Sequence, residues 1–325
     1  MLDYEVKVVE CEKKAREIEM QIVEKLGAFH RIDWLLKVGN ELKIIVAYSG
    51  DGTIKGYLPL VKTLKNNIRS YHIPPFTPYY GPIVFETDIL QKQILFEKIL
   101  LPLKGEAHMD FLLSLDDGDV LPFLKLGFQV EARQNHYFPP EKVYSTKVLN
   151  SGKARDIKRI LKRVDIGEIQ LLFGNDAVKK IIELQLITGE RKGFATQEAI
   201  LSNLLNIEEE RYFSVAILDQ SGEAIAAAFC PTDKFSMYHL IGASKRVDDK
   251  VLNLSNYLVC YLCVEEANKR KLRFDFEGSS LPGVAQFYRM MGGIPQVKYR
   301  LQKSTSVKLH LLRAAQRLKI EKYEK

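Results

Sequence analysis

The run LRFDFEGSSLPGVAQFYRMMGGIPQVKYRL, close to the end of the chain, constrains the fold more than any other segment. Its opening residues alternate, with Phe274 and Phe276 on one face of a strand and Asp275 and Glu277 on the other. Pro282 then opens a helix at its first turn, and Gly292 and Gly293 close it before PQVKYRL forms another strand. An apolar strand that passes through a short helix into a further strand needs a sheet with helices packed against it. SNYLVCYLCVEEANKRK, just upstream, reads as a long helix suited to that cover, with Ser255 as its N-cap.

The remainder of the chain follows the same grammar. Residues 5–37 read as mostly helical, with Ala15, Ile18, Ile22, Val23 and Leu26 on one stripe and Asp33 capping a second short helix. ELKIIVAYSGDGTIKGYLPLVKT is a hairpin turning at Gly50-Asp51-Gly52, and Pro74, Pro75, Pro78 and Pro82 forbid helix in the segment after it. Helix, strand, helix and strand complete the first half. The second half repeats the order, with three strands over 211–244, which suggests an internal duplication at the level of pattern. The expected domains are 1–145 and 146–303, followed by a basic helical tail over 304–325. The fold class is mixed α/β.

The 325 residues, 46% of them apolar, suffice for two cores of about 150 residues each. No stretch approaches the roughly 20 consecutive apolar residues of a membrane span, and MLDYEVKVVE lacks the apolar region of a signal peptide, so a cytoplasmic location is expected. Cys11, Cys230, Cys260 and Cys263 show no disulfide framework. Cys260 and Cys263 form a C-x-x-C on an apolar helix face, the position of two small core residues. The histidines show no metal-ligand spacing, so no metal is expected. The net charge of +7 is concentrated: Lys153 to Arg163 holds six basic residues against one Asp, and 303–325 holds seven against two Glu. Such segments are either solvated helix faces or contacts for an anionic partner.

FDFEGSSLPGVAQFYRMMGG with its following strand resembles the C-terminal signature of the Fem-like acyltransferases, which are built on the GNAT fold. GASKRVDDKVLNLSNYLV resembles the strand–loop–helix ahead of that signature, and STKVLNSGKARDIKRILKRVDIGEIQ the basic helix that opens the family's second domain. The match is good over 150–302 and looser over 30–140, where PPFTPYYGPIVF and PFLKLGFQV carry it. The resemblance implies two tandem GNAT-like domains. It also implies transfer of an acyl group, often an aminoacyl group from a charged tRNA, to an amine, with peptidoglycan and envelope synthesis as the setting. One segment departs from acetyl-coenzyme A enzymes: SKRVDDKVLNLS has no glycine and carries Asp248 and Asp249 where a diphosphate would need bare backbone N–H groups. No permanently bound cofactor is expected. Acyl-coenzyme A stays a candidate donor without its usual pyrophosphate loop, beside aminoacyl-tRNA or another carrier.

Amide formation requires a proton acceptor, donors for an oxyanion and positioning, but no covalent nucleophile. Glu277, at the end of its strand, is the candidate base or amine-binding group, against a structural pairing with Arg273 or Arg289. Tyr288 is the second catalytic candidate. Tyr238, His239, Asp275, Ser279 and Arg289 are candidates for substrate binding, although Ser279 also suits a helix cap and His239 a structural strand position. Arg155, Lys158, Arg159 and Lys162 share one helix face that would meet the phosphates of a tRNA or a nucleotide-linked precursor. The competing reading is a catalytically silent binding protein for an anionic partner, with a transient membrane-surface contact through the amphipathic tail.

Overall fold

The structure, a computed structural model, describes residues 4–39, 41–65, 68–113, 119–192, 198–278 and 282–305. The chain forms two compact units, Met1–Ala132 with Lys298–Lys325, and Arg133–Val297.

In the first unit the elements are β1 (Glu5–Val9), α1 (Glu12–Ile22), α2 (Ile32–Val38), β2 (Glu41–Tyr48), β3 (Ile54–Lys65), β4 (Ile68–Ser70), β5 (Ile83–Val84), α3 (Ile89–Leu100), β6 (His108–Leu112), α4 (Leu121–Lys125) and the start of β7 (Gln129–Phe138). Strands β2 and β3 form the expected hairpin, with Gly52 at φ 82° in its turn. Two expectations are corrected at the N-terminus. Glu5–Val9 is a strand paired antiparallel with β2 rather than the start of a helix. Asp33 lies in the first turn of α2 and accepts from Arg16 Nη1 at 2.6 Å instead of capping the helix. The stripe Ala15, Ile18, Ile22 and Leu26 is buried against Ile44 and Val46.

The second unit continues from β7 through α5 (Ser151–Asp165), β8 (Gln170–Phe173), α6 (Gly174–Lys192), α7 (Glu198–Leu205), β9 (Tyr212–Leu218), β10 (Ala224–Pro231), β11 (Ser236–Tyr238), β12 (Ile241–Ser244), α8 (Ser255–Lys269), β13 (Arg273–Asp275), α9 (Pro282–Met290) and into β14 (Ile294–Ser304). An antiparallel sheet runs in the order β12-β10-β9-β8. Every residue of β10 is buried, so both faces of this sheet are covered. Helix α6 packs on β9, β10 and β12, and α8 packs on β9 and β10. Leu258, Val259, Cys263, Val264 and Ala267 are the buried face of α8, where each large aliphatic contributes about 1.5–3 kcal/mol. Cys260 and Cys263 are buried free thiols, as their place on an apolar face suggested.

Ser255 is the first residue of α8 and not its N-cap. The turn ahead of the helix is tied by Asp249, whose Oδ1 accepts from the N–H groups of Val251 at 2.7 Å and Leu252 at 3.1 Å. The basic tail lies outside the described residues beyond Thr305. No helix among the described residues is long and apolar enough to cross a membrane.

In the first unit β14 returns to pair with β6, placing Arg300 and Gln302 beside the buried Asp110. Arg300 Nε donates to Asp110 Oδ1 at 2.8 Å, its Nη2 donates to Oδ2, and Gln302 Nε2 donates to Oδ2 at 3.1 Å. Removing one partner leaves a buried charge, so Arg300→Met should cost about 3–5 kcal/mol in urea denaturation. Adding Asp110→Leu should recover most of the loss; a double variant as unstable as the single would refute this account.

Candidate functional site

The site arises where one line of chain changes partners. β11 runs parallel to β13 as far as Tyr238 beside Asp275. The His239 N–H donates to the Asp275 carbonyl at 2.8 Å, and the Leu240 N–H turns back to the Tyr238 carbonyl at 2.8 Å. From Ile241 the chain pairs instead with β10 as β12. Four strands therefore stand where the sequence suggested three, because no Gly or Pro marks the break at His239-Leu240.

Beyond this switch lies a cavity of about 340 Å³. His239, Gly242 and Ser244 line it from the strand side, α8 contributes Asn256, Val259 and Cys260, and α9 contributes Val284, Phe287 and Tyr288. A Cβ on Gly242 would stand 2.8 Å from His239 Cε1, so glycine there makes room for the imidazole. Burial lowers the His239 pKa to about 4, which keeps the ring neutral near pH 7. Burial also pushes the Tyr288 hydroxyl well above an ordinary phenol, helped by Cys260, Glu277 and Asp275, so it keeps its proton. The two rings meet edge to face with centroids 6.4 Å apart. Neither side chain makes a hydrogen bond to another described residue, and both remain available to a ligand.

A histidine that the sequence did not single out lies against the same tyrosine. His136, on β7, has its ring centroid 5.8 Å from that of Tyr288 and is fully buried, with both ring nitrogens unpartnered. Its pKa is lowered by desolvation and by the nearby charge of Arg289, with Asp275 opposing. No local pattern on QVEARQNHYF marks this residue, because its neighbours are set by the pairing of β7 with β13.

The other candidates are spread more widely. Asp275 is buried and accepts from Asn135 Nδ2 at 2.9 Å and from the Glu277 N–H at 2.8 Å. It thereby turns the chain out of the strand, and Glu277 follows in the left-handed region at φ 65°. Glu277 is half-buried and does not line the cavity, although its charge reaches Tyr288. The Tyr238 hydroxyl donates to Asp233 Oδ2 at 2.8 Å, within the turn before β11. Arg289 is exposed on α9, and Ser279 lies outside the described residues.

Arg155, Lys158, Arg159 and Lys162 are exposed on α5 and form no ion pair with another described residue. Their neighbours differ. Lys153 bonds Asp156 at 2.9 Å and stands 3.8 Å over the Tyr257 ring, while Arg163 pairs with Glu168 at 2.8 Å and Asp249 at 3.0 Å. Tyr257 in turn lies 5.4 Å from Phe287, a wall of the cavity, so packed rings connect the basic helix to the site.

In the first unit, ligand atoms of His72, His108 and Asp110 lie within 4.8 Å of one another, an association that sequence spacing did not show. Arg300 and Gln302 already occupy both oxygens of Asp110, which suits a buried ion pair better than a metal centre.

No family model matches the sequence, and no curated protein matches it. Solved structures match over nearly the whole chain. FemX is similar with a TM-score of 0.69 at 13% identity, covering 94% of this chain and 99% of that one. The C-terminal domain of a putative lysylphosphatidylglycerol synthetase from Agrobacterium fabrum is similar at 0.58 and 10%, covering 94% and 97%. A tandem GNAT protein from the clavulanic acid biosynthesis pathway is similar at 0.53 and 11%, covering 94% and 99%. At these identities the TM-scores show a likeness of fold alone, a mixed α/β chain of tandem GNAT-like domains.

A lowered histidine pKa ties stability to pH in a definite direction. Between its ordinary 6.5 and about 4 the unfolded chain binds a proton that folded His239 refuses, so His239 makes the fold less stable as pH falls through this window. His239→Gln should therefore flatten the acid side of the stability profile between those values. Gly242→Ala should displace the ring and raise its pKa toward normal, followed by NMR titration; unchanged titration would contradict the close approach.

Proposed function

We propose that this chain transfers an acyl or aminoacyl group from a carrier to an amine, with the reaction in the second unit's cavity. The observation that supports this most is the pairing of His239 with Tyr288, two neutral groups facing one cavity without internal hydrogen bonds. The amine nitrogen attacks the carbonyl carbon, a carbon–nitrogen bond forms, and the carbon–oxygen or carbon–sulfur bond to the carrier breaks. His239 takes the proton from nitrogen. Tyr288 gives its proton to the departing oxygen or sulfur and regains one from His239. Free amine and acyl carrier thus become amide and protonated carrier, with no covalent enzyme intermediate.

The carrier end of the proposal rests on α5. Four exposed cations without carboxylate partners suit a phosphate-bearing carrier, and Lys153, Tyr257 and Phe287 link that helix to the cavity. The backbone donors ahead of α8 are taken by Asp249 itself, which disfavours a diphosphate seated there as in coenzyme A enzymes. This favours aminoacyl-tRNA or another phosphate-bearing carrier as the donor. The likeness of fold to FemX and to the lysylphosphatidylglycerol synthetase domain puts amines of envelope precursors first among acceptors to test.

Purified protein incubated with labelled aminoacyl-tRNA or acyl-coenzyme A and a panel of amines should give an amide product. Tyr288→Phe and His239→Gln should each lower kcat by about 10²–10⁴-fold with little change in KM. Glu277→Gln should change kcat less than either, since Glu277 stands outside the cavity lining. Replacing Arg155, Lys158, Arg159 and Lys162 by Gln should raise KM for the carrier and weaken its salt dependence, leaving thermal stability unchanged. Absence of both turnover and donor binding would refute the proposal.

A further inference from the structure

A helix start is a natural seat for an anion, because its first N–H groups lack acceptors within the helix and the dipole is positive there. One tight turn, Leu252–Leu254, leads directly into α8, so the first N–H groups of this helical run begin near Val251. From Val251 to Ser255 each of them already has an acceptor. The Val251 and Leu252 N–H groups donate to Asp249 Oδ1 at 2.7 and 3.1 Å. The Asn253 N–H donates to the Asp249 carbonyl at 3.1 Å, the Leu254 N–H to the Val251 carbonyl at 3.0 Å, and the Ser255 N–H to the Leu252 carbonyl.

The loop holds this arrangement from both sides. Asn253 Oδ1 accepts from the Val247 N–H at 3.0 Å, and its Nδ2 donates to the Val247 carbonyl. The second oxygen of Asp249 meets Arg163 Nη1 at 3.0 Å, and the same nitrogen lies 2.8 Å from Glu168 Oε2. Asp249 thus rests one oxygen on the helix start and the other on a guanidinium, as a phosphate would if it were held there. Led by the Leu252 N–H, these partners hold its pKa below the usual carboxylate range, so the charge is present at neutral pH. Asp248, exposed beside it, adds a second negative charge.

We propose that Asp249 is the donor-specificity residue of this chain: its carboxylate is a built-in occupant of the anion seat ahead of α8 and excludes carriers that need a diphosphate there, coenzyme A among them. An arriving diphosphate would have to take two N–H groups and Arg163 from the carboxylate and then remain beside its charge. A carrier whose phosphates meet the exposed cations of α5 faces no such competition. This rests on the acyl-transfer reading above and names what selects the donor within it. The occupied helix start is a property of the fold and does not depend on that reading. Asp249→Gly offers the reverse experiment, since it bares the two N–H groups and frees Arg163 in one step.

The test compares coenzyme A with pantetheine, the same thiol without its nucleotide and phosphates. Binding to the full chain is followed by calorimetry and by the amide resonances of Val251 and Leu252. In the native chain coenzyme A should bind no more tightly than pantetheine and leave both resonances in place. Asp249→Gly should bind coenzyme A roughly tenfold or more tightly than the native chain does, with pantetheine unchanged. Asp249→Asn keeps the Oδ1 acceptor but not the charge, and should show a smaller gain in the same direction. Asp248→Gly should gain far less than Asp249→Gly; an equal gain overturns the assignment to Asp249. Tighter binding of coenzyme A than of pantetheine to the native chain, with shifts at Val251 and Leu252, overturns the proposal and leaves acyl transfer standing with coenzyme A as a donor. No gain in a folded Asp249→Gly or Asp249→Asn variant also overturns it. Absence of turnover with every donor would remove the acyl-transfer reading and leave these binding results as they are.

Discussion

The second unit's site depends on Asp275, a buried residue that touches two sides of it without entering the cavity. Its carbonyl accepts the last N–H of the β11–β13 pairing, from His239, and after that bond the chain leaves for β10. Its carboxylate, fully inside the protein, holds Asn135 and the Glu277 N–H and so directs the chain out of β13. A carboxylate buried in this way is tolerable because these donors converge on it. Shifting it would disturb both the divergence of the strands and the turn leading to α9. The cavity, His239 and Tyr288 all follow from those two events.

The surroundings of the cavity divide charge from chemistry. His239 and Tyr288 are kept neutral by desolvation, which lowers an imidazole and raises a phenol and so leaves one an acceptor and the other a donor. Charge is held outside, on α5 and on the loop before α8. There Asp249 fills the role an anion would take at a helix start, and its other oxygen binds Arg163. Of the six basic side chains on α5, the two engaged ones anchor the helix to α8 and its loop, and the four remaining are exposed. The helix is thus fixed by part of its charge while the rest faces solvent.

The sequence was most informative where the physics is local. The Gly50-Asp51-Gly52 turn marked the hairpin β2–β3, and apolar faces marked α1 and α8. The order of elements in the second half pointed to the fold because a long helix, a buried strand, a short helix and a closing strand leave few ways to cover a sheet. It was least informative where partners are distant. Glu5–Val9 is a strand only because Ile44–Tyr48 lies beside it, and its outward residues look like those of the charged helix that follows. Tyr238 and His239 are adjacent in sequence, yet one is tied to the Asp233 turn and the other opens onto the cavity, since side chains alternate until the strand changes partner.

His136 shows the same limit and adds an energetic argument. A buried donor or acceptor without a partner costs about 1–3 kcal/mol, and this imidazole has two such nitrogens. Phenylalanine would fill much of the same volume without that cost. Packing does not explain a histidine here, whereas its neighbours do. It lies beside Tyr288, which lines the cavity, and Asp275 and Arg289 act on its charged form in opposite senses. The two influences oppose each other, and desolvation decides the outcome in favour of the neutral ring. Tyr288 is therefore flanked by two neutral imidazoles, one facing the cavity and one sealed behind it. Desolvation is the largest influence on all three rings, so the hydroxyl and both imidazoles are neutral together near pH 7.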